Sequence, residues 1–178
     1  MKMNSVNHVL LPIVLISAGM SGANAADTIT FNGKVIDTTC TVVVNGGDST
    51  IEIGSIPKED VANKGDTGAP KSFNISLESC PLAAVGVPTQ AYIKFSGPTD
   101  GDPSYFKNVA TNSAALNVGV LLKQGSTVVK ADADNDPIIL PPAGGNVTED
   151  YTAQLVATNA GSTVGNVTSV LTYNVSYL

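Results

Sequence analysis

Period-two alternation is the feature that most constrains this chain: nearly every stretch with a regular apolar pattern repeats every second residue. Phe73, Ile75 and Leu77 alternate with Asn74, Ser76 and Glu78 on the way into Cys80. Ala91-Tyr92-Ile93-Lys94-Phe95 follows, closed by a Gly97-Pro98 break. Residues on alternate positions of an extended chain face opposite sides, so such a stretch has one face to bury and one to wet. Val42-Val43-Val44 ends in the turn signal Asn45-Gly46-Gly47, after which Thr50-Ile51-Glu52-Ile53 resumes extended character. Residues 116–122, Thr127-Val128-Val129, Ile138-Ile139-Leu140, 150–158 and 166–178 complete the series. The polar segments 56–70 and 100–108 read as surface loops, and 159–165 separates the last two strands. No window of a dozen residues carries a helical stripe. Short strands at this spacing, rich in Val and Thr and divided by Gly, Pro and Asn, predict an all-β sandwich.

Residues 1–25 have the form of an export signal. Lys2 supplies the charged start, residues 9–16 an apolar run, and Ala23-Asn24-Ala25 an A-x-A cleavage site. The run is shorter than the roughly 20 residues of a membrane span. The expected division is a signal over 1–25, an arm over 26–36 and one domain over 37–178. Loss of the leader removes Lys2 and no acid, leaving 8 of the 9 lysines against all 15 acids. With no arginine and no lysine cluster, the chain has no source of the bidentate phosphate and base contacts that nucleic-acid binding requires.

Cys40 and Cys80 are the only cysteines, both in the exported part. An even count in an oxidising compartment favours a disulfide between them. A metal site would need more ligands, and the only histidine, His8, lies in the leader. Without histidine, the triads and dyads of nucleophilic catalysis have no base. A carboxylate pair remains available by residue type, but the acids fall in turns and there is no Trp for a sugar to stack on. Asp132, Asp134 and Asp136 have the opening spacing of a calcium loop, yet Pro137 and Ala143 stand where Gly and Glu are needed. Asn74, Asn146, Asn166 and Asn174 begin N-x-S/T triplets, mostly within strand patterns where they form a polar face, and no glycan is assigned. The chain thus reads as non-enzymatic, with no cofactor, no nucleic acid and no small-molecule substrate.

The stretch 27–36, DTITFNGKVI, places Ile29, Phe31 and Val35 on one face, with Gly33 between the last two. Its position at the start of the mature chain leaves two readings open. It is either the first strand of a closed sandwich or a segment tied down by another molecule.

The opening ADTITFNGKV, Cys40 directly after it, FNISLESCP around Cys80, YTAQLVAT from Tyr151 and the closing GNVTSVLTYNVSYL together resemble the pilins of chaperone–usher fimbriae, the type 1 fimbrial family. The resemblance spans essentially the whole mature chain, with Gly165 fourteenth from the end and Tyr177 penultimate, as in that family's signature for chaperone recognition. It implies an incomplete immunoglobulin-like β-sandwich that lacks its last strand and keeps an apolar groove open beside the C-terminal one. Leu171, Tyr173, Val175 and Tyr177 would face that groove, and a periplasmic chaperone would fill it and hold the carboxylate of Leu178. In the fibre, the arm of another pilin subunit, with Ile29, Phe31, Gly33 and Val35 on its face, would replace the chaperone strand after delivery to an outer-membrane usher. Gly33 would let the donor backbone approach a shallow part of the groove. The implied role is a structural subunit of an adhesive surface fimbria, exported through the periplasm, as a homopolymer or mixed fibre. The alternative is a secreted carbohydrate-binding module, which would leave the arm unexplained.

Overall fold

The alternation of Phe73, Ile75 and Leu77 is realised as a strand whose odd positions are buried and whose even positions are partly wet. The structure, a computed structural model, describes residues 39–178. The expected leader, the arm residues Ile29, Phe31, Gly33 and Val35, and the boundary at 36–37 lie outside the described residues. The strands are β1 (Thr41–Val44), β2 (Lys71–Cys80), β3 (Gln90–Ser96), β4 (Phe106–Lys107), β5 (Val118–Gln124), β6 (Thr127–Val128), β7 (Ile138–Ile139), β8 (Gly145–Ala157) and β9 (Thr172–Tyr177).

They form two sheets. One has the order β1-β2-β8-β5-β4, with β6 also on β5; the other is β7-β3-β9. Every pairing between these strands is antiparallel. The inner faces meet in one core, where Tyr151 of the first sheet stacks on Phe73 at 5.5 Å between centroids and meets Phe95 of the second edge-on at 5.6 Å. Such an aromatic triad fixes the two sheets face to face, because ring pairs prefer offset and edge-on geometries. The immunoglobulin-like sandwich expected from the sequence is the observed fold.

Cys40 and Cys80 are bonded, with Cα atoms 4.2 Å apart. The bridge sits where β2 departs from regular pairing between Leu77 and Cys80. There Ser79 adopts a positive φ of 54° and its amide donates to the Asn146 side chain at 3.0 Å.

Four expectations need correction. Residues 50–53 are not in a strand: no described segment pairs with them, although Ile51 and Ile53 pack against the core. The loop 56–70 is not wholly on the surface. It carries a 3-10 turn at Lys58–Val61 with Val61 buried, and Thr67 bridges to Val156 beside β8. The loop 100–108 contains β4, and Phe106 is fully buried because Gly119 on β5 lets the backbones close up; a Cβ there would lie 2.5 Å from the Phe106 carbonyl oxygen. Finally, the expected strand 166–178 is regular only over Thr172–Tyr177, since residues 166–171 turn their hydrogen bonds toward 108–115 instead.

Candidate strand-accepting groove

β9 is the last strand, and among the described strands it pairs with β3 alone. Gln90 and Leu178 exchange both backbone bonds, at 3.1 and 2.9 Å. In an antiparallel ladder such reciprocal pairs recur at every second residue. With the observed register they fall on Tyr92–Ser176, Lys94–Asn174 and Ser96–Thr172. The N–H and C=O groups of Tyr173, Val175 and Tyr177 therefore point along the opposite edge, away from β3. In the other sheet, β1 is likewise terminal and pairs with β2 alone among the described strands.

Between these two edges lies a cleft of about 900 Å³. Its floor is apolar and comes from both sheets: Phe73 and Ile75 of β2, Phe95 of β3, Val118, Val120 and Leu122 of β5, and Ala153 and Leu155 of β8. One wall is Val44 with residues 49–56, which present Ile51, Ile53 and Ile56; the other is residues 163–171 with Tyr173. Two glycines hold that second wall down. A Cβ on Gly165 would lie 2.5 Å from the Ala115 nitrogen, and one on Gly97 would lie 2.6 Å from the Leu171 side chain. Close backbone contact at 165 allows Ala115 N–H to donate to Asn166 C=O at 2.9 Å and Asn166 N–H to Ser113 C=O at 2.7 Å. The Asn108 side chain adds bonds to the Ala115 and Asn166 carbonyls at 2.9 and 2.8 Å.

The expected groove residues separate along β9. Leu171, Val175 and Tyr177 are half-buried against the core, whereas Tyr173 is 44% exposed and lines the cleft with Leu171. At the far end the Tyr177 hydroxyl donates to the Cys40 carbonyl at 3.4 Å, and burial raises its pKa above the ordinary tyrosine value. Gly165 lies at the opposite end, in the wall rather than on the strand, and Leu178 is exposed. Sequence reasoning did not name the floor or Ile51, Ile53 and Val170. The floor was present in the parity of each strand, but parity alone does not tell which core positions lie beneath an open edge. The acids at 132–136, set aside as calcium ligands, flank β3: Asp132 accepts from the Ser96 hydroxyl at 2.6 Å, and Asp134 lies 3.3 Å from the Lys94 amine.

An apolar trough bordered by strand edges that no other described strand pairs has the form to which an extended peptide can add, with the backbone supplying bonds and alternate side chains filling the floor. The fimbrial-protein family matches residues 29–178. The chain belongs to that family. It is 31% identical over 173 residues to the F17 fimbrial protein of Escherichia coli, covering 92% of this chain and 94% of that one. It is 32% identical over 173 residues to the major fimbrial subunit SMF-1 of Stenotrophomonas maltophilia, covering 92% and 99%. In fold it is similar to the P pilus rod subunit PapA, with a TM-score of 0.65 at 20% identity over 79% of this chain and 99% of that one. It is also similar to a subunit of a chaperone–usher pilus, with a TM-score of 0.66 at 22% identity over 87% and 97%. This pilin is a structural subunit of a surface fimbria.

Proposed function

We propose that this fimbrial subunit polymerises by strand addition, the arm of one copy lying along β9 of another. The observation that carries the reading is the outward-facing backbone of Tyr173, Val175 and Tyr177 beside a cleft floored by both sheets. Ile29, Phe31 and Val35 are the side chains for that floor, with Gly33 where the donor backbone passes close. Burying the three would contribute about 1.5–3 kcal/mol each, and each new ladder bond about 0.5–1.5 kcal/mol net. The sum rivals the roughly 5–15 kcal/mol that holds a whole domain together. Before polymerisation a periplasmic chaperone strand occupies the same edge and an outer-membrane usher receives the complex, after export directed by residues 1–25. The role is structural and non-enzymatic.

The test is unfolding of the domain lacking residues 26–34, with and without the peptide ADTITFNGKVIDT. Strand addition raises the unfolding midpoint by tens of degrees and makes release immeasurably slow. A truncated domain that is already stable and ignores the peptide would overturn the reading. The secreted carbohydrate-binding alternative predicts no peptide effect.

A further inference from the structure

We propose that the Ser169 hydroxyl is the stop that fixes where an incoming arm comes to rest, by donating to the Asp37 carboxylate of the arm laid beside it. The inference rests on the strand-addition reading above and deepens it, from an open edge to one register and the pair of residues that selects it.

The open edge is longer than β9. Asn166 spends both its backbone groups on Ser113 and Ala115, and the C=O and N–H of Thr168 go to Val109 and the Asn108 side chain. The Val170 carbonyl faces Gly97, 3.2 Å from where a Cβ would stand there. Even positions from 166 to 178 thus turn their backbone groups toward the body of the sandwich, and odd positions from 167 turn theirs to the open side. No described residue bonds to the backbone of Val167, Ser169 or Leu171. On the inward face, Val167, Leu171, Val175 and Tyr177 pack against the core. Ser169 lies between the first two, on the cleft wall, with its hydroxyl buried and without a partner among the described residues. A buried hydroxyl left unpaired is unfavourable, so this position favours an occupant that brings an acceptor.

The arm carries one in the matching place. Ile29, Phe31, Gly33 and Val35 share a face, and the next residue on that face is Asp37. Antiparallel addition is the sense of every pairing between the described strands. Directly opposed residues of such a pair share a face, so the arm can shift along the edge only two residues at a time. Gly33 opposite Tyr173 sets Ile29 against Tyr177, Phe31 against Val175, Val35 against Leu171 and Asp37 against Ser169. The Tyr173 ring, 44% exposed on the cleft, then closes over the glycine, and hydroxyl meets carboxylate. Asp27, on the same face, falls past Leu178 and outside the cleft. A shift one way crowds Phe31 against Tyr173 and buries the Ser169 hydroxyl under Val35. A shift the other way crowds Val35 against Tyr173, leaves Asp37 against Leu171 and carries Ile29 beyond the last residue. The first register alone pairs both polar groups.

The test uses fibres of the full chain and cysteine pairs on the outward face, which leave the cleft untouched. Asn32→Cys with Asn174→Cys places two thiols directly opposite in the proposed register, within disulfide reach. Asn32→Cys with Thr172→Cys, or with Ser176→Cys, reports the two neighbouring registers. Oxidised fibres of the first pair give a ladder on non-reducing gels after denaturation that dissociates the parent fibre, and the other two pairs do not. Adding Ser169→Ala spreads the cross-linking to the neighbouring pairs and slows elongation severalfold, whereas Ser169→Thr, which keeps a hydroxyl, does neither. Asp37→Val acts like Ser169→Ala, and Asp37→Asn like the parent. Cross-linking still confined to the first pair in the Ser169→Ala fibre would overturn the stop. Cross-linking of a neighbouring pair in the parent background, or of no pair at all, would overturn the register. If Phe31→Asp also leaves assembly intact, strand addition itself is wrong and the inference falls with it.

Discussion

The hydroxyl of Tyr177 donates to the carbonyl of Cys40 at 3.4 Å, joining the end of the last strand to the residue that opens the described domain. Cys40 is bonded in turn to Cys80 at the end of β2, so one end of the sandwich ties together the first strand, the second and the ninth. Tyr177→Phe keeps the ring and removes only this bond. At that length it contributes toward the low end of the range for a neutral pair, and a loss of about 0.5–1 kcal/mol is expected. Urea unfolding of the two proteins side by side measures it, and an unchanged midpoint would show that the ring alone anchors the strand.

Replacing Cys40 and Cys80 together by Ala removes a crosslink across a sequence separation of 40 residues. The chain-entropy model gives a loss of about 4 kcal/mol for a loop of that size. Such a loss is a large share of the stability of an ordinary domain, so the double variant should populate unfolded chain at growth temperature. Equilibrium denaturation checks this. A loss under about 1 kcal/mol would mean that the unfolded state is compact without the bridge.

Gly165→Ala puts a methyl group against the backbone of residues 113–115. The wall of residues 163–171 has to lift, and the reciprocal bonds between Asn166 and residues 113 and 115 stretch with it. Overpacking of this kind costs about 1–3 kcal/mol. The larger effect should fall on the groove: the arm peptide binds more slowly and leaves faster than from the parent domain. If only global stability changes, Gly165 supports the fold without shaping the groove.

Much of the sandwich was legible because burial writes itself into parity. Phe73, Ile75 and Leu77 could face only one way, and β2 and β3 followed from the same rule, whereas β5 is buried on both faces and read as a continuous apolar run. Phe106 was not legible, because a two-residue strand has no period and its burial depends on Gly119 lying next to it in space. Ile51 and Ile53 look like strand residues in sequence, yet they lie on a wall of the groove and outside any ladder among the described residues. The last third misled in the other direction: residues 166–171 carry strand-like alternation but bond to residues 108–115 through side chains and loop backbone. The groove itself is a relationship between two sheet edges, which no local pattern encodes. Only the family resemblance pointed to it in advance.

Alkaline pH should unfold the domain through Tyr151. Its side chain is buried, and burial, reinforced by the negative charges of Glu149 and Asp136, pushes its pKa well above the ordinary tyrosine value. Tyr177 is raised as well, by burial. A raised pKa means that the folded state holds its proton where the unfolded chain would release it. The stabilisation is thus fully present below the unfolded value of about 10 and is lost as pH rises beyond it. The thermal midpoint should be flat from neutrality to about pH 10 and then fall, with tyrosinate absorbance appearing at the unfolding step. Tyr151→Phe isolates the cause. The hydroxyl is buried with no hydrogen-bond partner among the described residues, and leaving such a group unpaired costs about 1–3 kcal/mol. The Phe variant should therefore match or exceed the parent at neutral pH and hold its midpoint to higher pH. A variant less stable at neutrality would mean that the hydroxyl has a bound water to lose.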